Sequence, residues 1–203
     1  MLEKKVAFMG NRGSGKSTQA RMLGSKGFDL MSFADPVYGI AARIFHRQFC
    51  GQSGSSVTFD NNFSEEEIRS MMRSGKLPKE GAFVFNGVNF PEGYFRNLLE
   101  SVGQGSRDWI GSDVFVKNLI ERSENRFSVA VDDMRYRNEH WLMREAGFKT
   151  IFIDMPESDN LSQSSENCQM LYEEGLIDPD LVIKRSDGIE ENFKKTCKFL
   201  EVE

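Results

Sequence analysis

The chain has 203 residues, 39 % hydrophobic and 28 % charged, enough for one domain with a sizeable core. Its formal net charge of -5 argues against direct binding to nucleic acid or an anionic membrane. The cysteines (Cys50, Cys168, Cys197) and histidines (His46, His140) are too scattered for a disulfide framework or a zinc site. No apolar run reaches the length of a membrane span, and Lys4-Lys5 leads straight into the first strand, so a cytoplasmic protein is expected.

Val6 to Met9 is an apolar run that reads as a buried strand, and Thr18 to Leu23 reads as a helix. Between them, Gly10, Gly15, Lys16 and Ser17 fill the pattern G-x-x-x-x-G-K-[ST], a phosphate-binding loop. Glycines let the backbone curl its N–H groups inward, and the following helix turns its positive end toward the same anion. Asn11, Arg12, Gly13, Ser14, Gly15, Lys16, Ser17 and Thr18 are therefore expected to hold a nucleoside triphosphate. Lys16 would reach the β- and γ-phosphates, and the Ser17 hydroxyl would hold magnesium.

Phe28 to Ala34 reads as a second strand, and Asp35-Pro36 opens a helix whose apolar face holds Val37, Ile40, Ala41, Ile44 and Phe45. Residues 50–91 break this alternation and read as an insertion. It contains a polar loop (51–56), a capping box at Ser64-Glu67 before a short helix, and a candidate hairpin over 81–90 turning at Asn86-Gly87. Pro91 to Gln104 returns to helix, with Gly103 and Gly105 expected to end it, and Asp113 to Glu121 forms another. Phe127 to Val131 is a strand expected to stop at Asp132-Asp133. Asn138 to Ala146 reads as a helix packed through Trp141, Leu142 and Met143. Strands follow at Thr150 to Ile153 and Leu181 to Ile183, and Ser186-Asp187-Gly188 can cap a last helix with Ile189, Phe193, Cys197 and Leu200 inward. Strands alternating with helices predict an α/β fold.

An aspartate at the tip of a strand beside the phosphate loop can order magnesium, and Asp132 or Asp133 can serve; Asp133 also suits a helix N-cap. Arg135 lies two residues beyond, where its planar fork would clamp a phosphoryl group, whereas Arg137 reads as a solvated helix-start residue. Arg96 and Arg107 suit either an acceptor phosphate or surface ion pairs. Asp35 suits either an acceptor contact or a helix cap.

The blocks GNRGSGKS, SFADPVYGIA, FRNLLESVGQGSRD, AVDDMRYRNEHWLMREAGFKTIFI and DPDLVIKRSDGIEENF resemble, in order and spacing, the deoxynucleoside monophosphate kinases of tailed bacteriophages. The resemblance spans nearly the whole chain except 50–90. It implies a single P-loop domain over 1–203: a three-layer α/β/α sandwich like that of nucleoside monophosphate kinases, with five parallel strands and the P-loop strand central. The insertion at about 50–91, which the resemblance does not cover, reads either as an acceptor-side segment or as a surface elaboration, and a lid-like segment would span about 155–180. It further implies phosphoryl transfer from ATP, with Mg2+, to a deoxynucleoside monophosphate, in a host-cell cytoplasm. Arg96, Asp133, Arg135 and Arg107 would line the acceptor and phosphate cleft, and Lys184 to Gly188, with Lys184 and Asp187, would sit near the adenine.

The chain departs from the family in one respect. From Thr150 to Ile183 there is no lysine or arginine, although a lid there is expected to bring arginines to the transferring phosphates. Arg12 and Arg135 are the candidates to supply that charge. Two rival readings remain at this stage: a P-loop kinase of another small acceptor, such as dephospho-coenzyme A or shikimate, and a nucleotide-binding regulatory protein with weak catalysis or none. The Phe-rich segment Phe83 to Phe95 suits either a homodimer surface or a buried hairpin.

Overall fold

In the computed structural model the described residues are 3–50, 63–85, 87–155 and 168–203. The polar loop at 51–56, Asn86 of the hairpin turn and much of the lid-like segment lie outside them. In chain order the elements are β1 (Lys4–Met9), α1 (Lys16–Gly24), β2 (Asp29–Met31), α2 (Asp35–Phe49), α3 (Glu65–Ser74), β3 (Phe83–Phe85), β4 (Val88–Phe90) and α4 (Tyr94–Trp109). There follow α5 (Val114–Ser123), β5 (Ser128–Met134), α6 (Arg137–Glu145), β6 (Lys149–Asp154), α7 (Cys168–Glu173), β7 (Leu181–Lys184), a 3-10 turn (Arg185–Asp187) and α8 (Ile189–Leu200).

The chain divides into two compact units, Met1–Phe33 with Asp113–Glu203, and Ala34–Ser112. The first holds a parallel sheet in the order β2-β5-β1-β6-β7, with the loop-bearing β1 at its centre. Strands buried on both faces read as continuous apolar runs rather than alternating ones, as Val6 to Met9 does. Alternate residues feed two layers. Val6, Phe8, Ala130, Ile151, Ile153 and Ile183 form one core with Ala20 and Leu23 of α1 and Leu200 of α8. On the opposite face Thr150 meets His140 of α6 at 3.5 Å. This is a three-layer α/β/α sandwich. Among the described residues no helix is long and apolar enough to cross a membrane.

The second unit packs α2, α3 and α4 with the β3–β4 antiparallel hairpin around Phe45. That ring is fully buried, with the Phe49, Phe85, Phe90 and Phe95 rings centred 4.8 to 5.4 Å away. Phe85, Phe90 and Phe95 are thus core residues of this unit, which is the buried-hairpin alternative. The capping box forms as expected, with Ser64 and Glu67 satisfying each other's backbone N–H at the start of α3.

Several element boundaries differ from the sequence reading. α4 runs through Gly103 and Gly105 to Trp109. Gly103 is buried inside the helix, where a Cβ would meet Arg107 and Val37 only at ordinary contact distances of 3.7 and 4.0 Å, and neither glycine ends α4. β2 is shorter than expected because Ser32 and Phe33 bond a side chain of β5 instead of continuing the ladder. Met143 is buried as expected, but Trp141 is 60 % exposed, and α6 turns Glu139 and His140 inward in its place. In α8 the buried positions are Asn192, Thr196 and Leu200, one every four residues, which leaves Ile189 exposed. No side chain caps α8, whose N-cap is Gly188; Asp187 pairs with Lys195 instead.

Candidate active site

The phosphate loop crosses from the carboxyl end of β1 to α1, the edge of a parallel sheet where α/β proteins place their ligands. Gly10 has φ 147°, and a Cβ there would fall 2.8 Å from the Ile153 carbonyl oxygen, so no side chain fits. Gly15, at φ 106°, is the N-cap of α1 and contributes no side-chain cap, and the first turn of that helix leaves N–H groups without intrahelical acceptors. The Ser14 hydroxyl is buried and its oxygen has no hydrogen-bond partner among the described residues.

Lys16 is 8 % exposed and folds back on its own loop, donating to the carbonyl oxygens of Gly10 (2.7 Å) and Asn11 (2.8 Å). Burial, aided by the nearby Arg135 guanidinium, pulls its pKa from 10.5 down to about 8. The Asp132 and Asp133 carboxylates oppose that shift without cancelling it. Loop lysine, arginine and both strand-tip carboxylates are therefore electrostatic neighbours, the grouping expected from the sequence.

β5 does not stop before its aspartates: it runs to Met134 and carries both. The register against β1 shifts there, with Ala7 facing Val131 and Met9 facing Met134, so β5 spends one extra residue. Such a bulge re-aims side chains that would otherwise alternate between faces. Asp133 accepts from the Ser32 hydroxyl (2.6 Å) and the Phe33 N–H (2.9 Å), which fastens the exit of β2 to the tip of β5. It is not a helix N-cap, since α6 starts at Arg137 behind Tyr136. The carboxylate at that helix start is the buried Glu139, which accepts from the Arg135 N–H (2.8 Å) and the Tyr136 N–H (3.1 Å). Glu139 thereby fixes the backbone that presents Arg135, and its place three residues after the N-cap is the sequence signal for that role.

Two residues of this neighbourhood are absent from the sequence reading of the site. Cys168 is buried and donates its thiol to the Arg135 carbonyl oxygen at 3.4 Å. Burial pushes that thiol up, against the opposing pulls of Lys16 and a Gly10 backbone hydrogen bond. Gln169 places its N–H 3.4 Å from Asn11 Oδ1 and its amide 2.9 Å from Asp154 Oδ1, joining α7 to the loop. No local pattern announces either, because only the tertiary fold brings α7 to the loop.

Lys184 ends β7, and its carbonyl accepts from Asn192. Gln19 of α1 donates to the Ile189 carbonyl (3.1 Å), so the segment beyond Lys184 is tied to the helix that follows the phosphate loop. Arg12 and Ser17 are exposed on the loop. The donor set suits a polyphosphate with a hard divalent cation, because hydroxyl and carboxylate oxygens are the ligands magnesium prefers. Ser17, Asp132 and Asp133 would hold the metal, and the loop amides with Lys16 the phosphates.

Asp35, Arg96 and Arg107 belong to the second unit. Asp35 is buried and ion-paired with Arg73 at 2.5 Å. Arg96 is engaged by Glu80 and Glu100. Arg107 reaches the Gly103 carbonyl at 3.5 Å.

No protein-family model and no curated protein matches this sequence. Among solved structures, the chain is similar to a sugar kinase from Janibacter sp. HTCC2649, at 17 % identity and TM-score 0.45, over 98 % of this chain and 95 % of that one. It is also similar to the dephospho-CoA kinase from Campylobacter jejuni, at 18 % identity and TM-score 0.41, over 97 % and 95 %.

Proposed function

We propose that this chain is an ATP-dependent phosphotransferase whose acceptor is a deoxynucleoside monophosphate. The observation that carries the transferase reading is the grouping of Lys16, Arg135, Asp132 and Asp133 at one phosphate-binding loop. The acceptor class rests on the sequence blocks that resemble the phage kinases, chiefly the one running from Asp133 through Arg135 to Glu139.

An oxygen of the acceptor's phosphate attacks the γ-phosphorus of ATP in line, the bond from that phosphorus to the β,γ-bridging oxygen breaks, and ADP leaves. Lys16 leaves its carbonyl partners to hold the β- and γ-oxygens. Arg135, whose backbone is pinned by Glu139, neutralises charge on the equatorial oxygens and supplies what the base-free stretch from Thr150 to Ile183 lacks. Magnesium, held by Ser17 with Asp132 and Asp133, would supply further positive charge to the transferring phosphoryl group. No covalent intermediate on the protein is required, because positioning and charge account for this class of reaction.

The test is ADP release with ATP and magnesium against the four common deoxynucleoside monophosphates, AMP and GMP. Turnover with one or two of the deoxynucleotides, abolished by Lys16→Ala, is expected. Nucleotide binding without turnover on any of the six would overturn the acceptor assignment.

A further inference from the structure

The helix that follows the phosphate loop and the last helix of the chain meet in one apolar core, α1 through Ala20 and Leu23 and α8 through Leu200. Three of the buried side chains that face this seam are nevertheless polar. Gln19 of α1 is 3 % exposed, and Asn192 and Thr196 of α8 are 3 % and 0 % exposed. Asn192, Thr196 and Leu200 follow one another at every fourth position and so form one stripe along α8. Gln19 crosses to the same helix, its Nε2 donating to the Ile189 carbonyl oxygen at 3.1 Å. Asn192 turns its own amide back to the end of β7, where Nδ2 donates to the Lys184 carbonyl oxygen at 2.8 Å.

Those two bonds decide which end of each amide points where. A backbone carbonyl only accepts, so the NH2 group must face it and the amide oxygen takes the other direction. Gln19 Oε1 and Asn192 Oδ1 have no hydrogen-bond partner among the described residues, and neither has Thr196 Oγ1. Leaving a buried polar atom in that condition costs stability, and here the same seam does so three times. Two of the three atoms only accept, while the hydroxyl can also donate. An anion would be repelled by the two acceptors. An alkali cation would bury its charge among neutral oxygens, since none of the three side chains carries a negative charge to offset it. A water molecule answers every group, donating one hydrogen to each amide oxygen and accepting from the Thr196 hydroxyl. Side chains one helical turn apart stand roughly 5–6 Å from each other at Cβ, a span that two hydrogen bonds of about 2.8 Å cover. Asn192 lies in the middle of the set, one turn before Thr196 and one turn after the carbonyl that Gln19 holds.

We propose that Gln19, Asn192 and Thr196 form an internal water site, centred on Asn192 Oδ1, that joins the phosphate-loop helix to α8. The site does not depend on the kinase reading. Its effect is to fasten the segment from Lys184 to Gly188, because the same two amides hold the Lys184 and Ile189 carbonyls that bracket it.

A high-resolution crystal structure of the wild type reads the site directly. A water oxygen is expected within hydrogen-bond distance of Asn192 Oδ1 and of at least one of Gln19 Oε1 and Thr196 Oγ1. A dry seam overturns the proposal. So does occupation by an alkali cation, which would raise the unfolding midpoint in potassium chloride over that in choline chloride at equal ionic strength. Thr196→Val gives a second reading in solution, since it keeps the shape of the side chain and removes the hydroxyl. If the hydroxyl donates to a water, the variant leaves that water short of a partner, and the folding equilibrium constant falls by about threefold or more in urea unfolding. In a dry seam the same change removes an orphaned hydroxyl and the constant rises, so a rise or no change also overturns the site. Should Thr196→Val fail to fold, the wild-type crystal structure decides alone.

Discussion

Substituting Lys16 by methionine, and following stability with pH, tests whether the loop stores a desolvated cation. The folded protein holds this ammonium at a pKa of about 8, against 10.5 for an unperturbed lysine, mainly because it is buried. Between those values the unfolded chain binds more protons than the folded one, so wild-type stability must rise with pH across that window. At 1.36 kcal/mol per pKa unit, the folded protein carries a penalty of about 3 kcal/mol at pH 7, falling to roughly 1 kcal/mol at pH 10. Lys16→Met carries no such group. Urea unfolding of both proteins without nucleotide, from pH 7 to 10, should show wild type gaining about 2 kcal/mol relative to the variant. Subtracting the two curves cancels the titrating groups that Lys16 does not touch, and Cys168→Ser in both backgrounds removes the neighbouring thiol that it does. The same protonation governs ligand binding: if the polyphosphate requires the ammonium, ATP affinity of wild type falls about tenfold from pH 7 to 9. Unfolding curves that stay parallel within about 0.5 kcal/mol over this range would refute the desolvated-lysine reasoning.

Arg135→Ala should lower the turnover number by about 10² to 10³, with ATP affinity within a few-fold, because the guanidinium acts on charge that develops during transfer. An unchanged turnover number in single-turnover kinetics would remove Arg135 from the mechanism. Glu139→Gln keeps the shape but weakens two charge-assisted bonds to the Arg135 and Tyr136 N–H groups, so a loss of about 1–2 kcal/mol in urea unfolding is expected. Turnover should fall with it; a stability loss without any change in turnover would make Glu139 a purely structural cap. Phe45→Ala empties the centre of the second unit, where the ring is fully buried among four others, and should cost about 3–5 kcal/mol. Calorimetry on the variant reads this directly, and a loss below about 1 kcal/mol would mean that the core collapses to fill the space.

The phosphate loop was legible because its constraint is local. Gly10 and Gly15 occupy backbone conformations closed to other residues, so the pattern marks the structure without help from distant contacts. The inner strands β1, β5 and β6 were legible for a similar reason, since strands covered on both faces are apolar along their buried stretch. Strand ends were not. β5 runs on through Asp132 and Asp133 because β1 still pairs with it at Met134, and polar residues at a strand tip look like a loop until that partner is known. β2 ends early for the complementary reason, as Asp133 captures Ser32 and Phe33 from a hundred residues away.

Glycines misled in α4, where the helix runs through Gly103 and Gly105 to Trp109 instead of ending at them. Trp141 misled by its size: burial in α6 goes to the positions that face Thr150, one of which is His140.

The amino-acid sequence by itself determined the order of the elements other than α7, the glycine-rich turn between β1 and α1, and the apolar content of the inner strands, because each follows from backbone sterics and short-range periodicity. Tertiary structure alone decided that Cys168 and Gln169 lie against the loop and that Glu139 steadies Arg135 from inside the fold. It also decided that Asp133 laces two strands together. The physical reason is the same throughout: charge pairing and burial act through space, and their partners lie too far along the chain for spacing to record them.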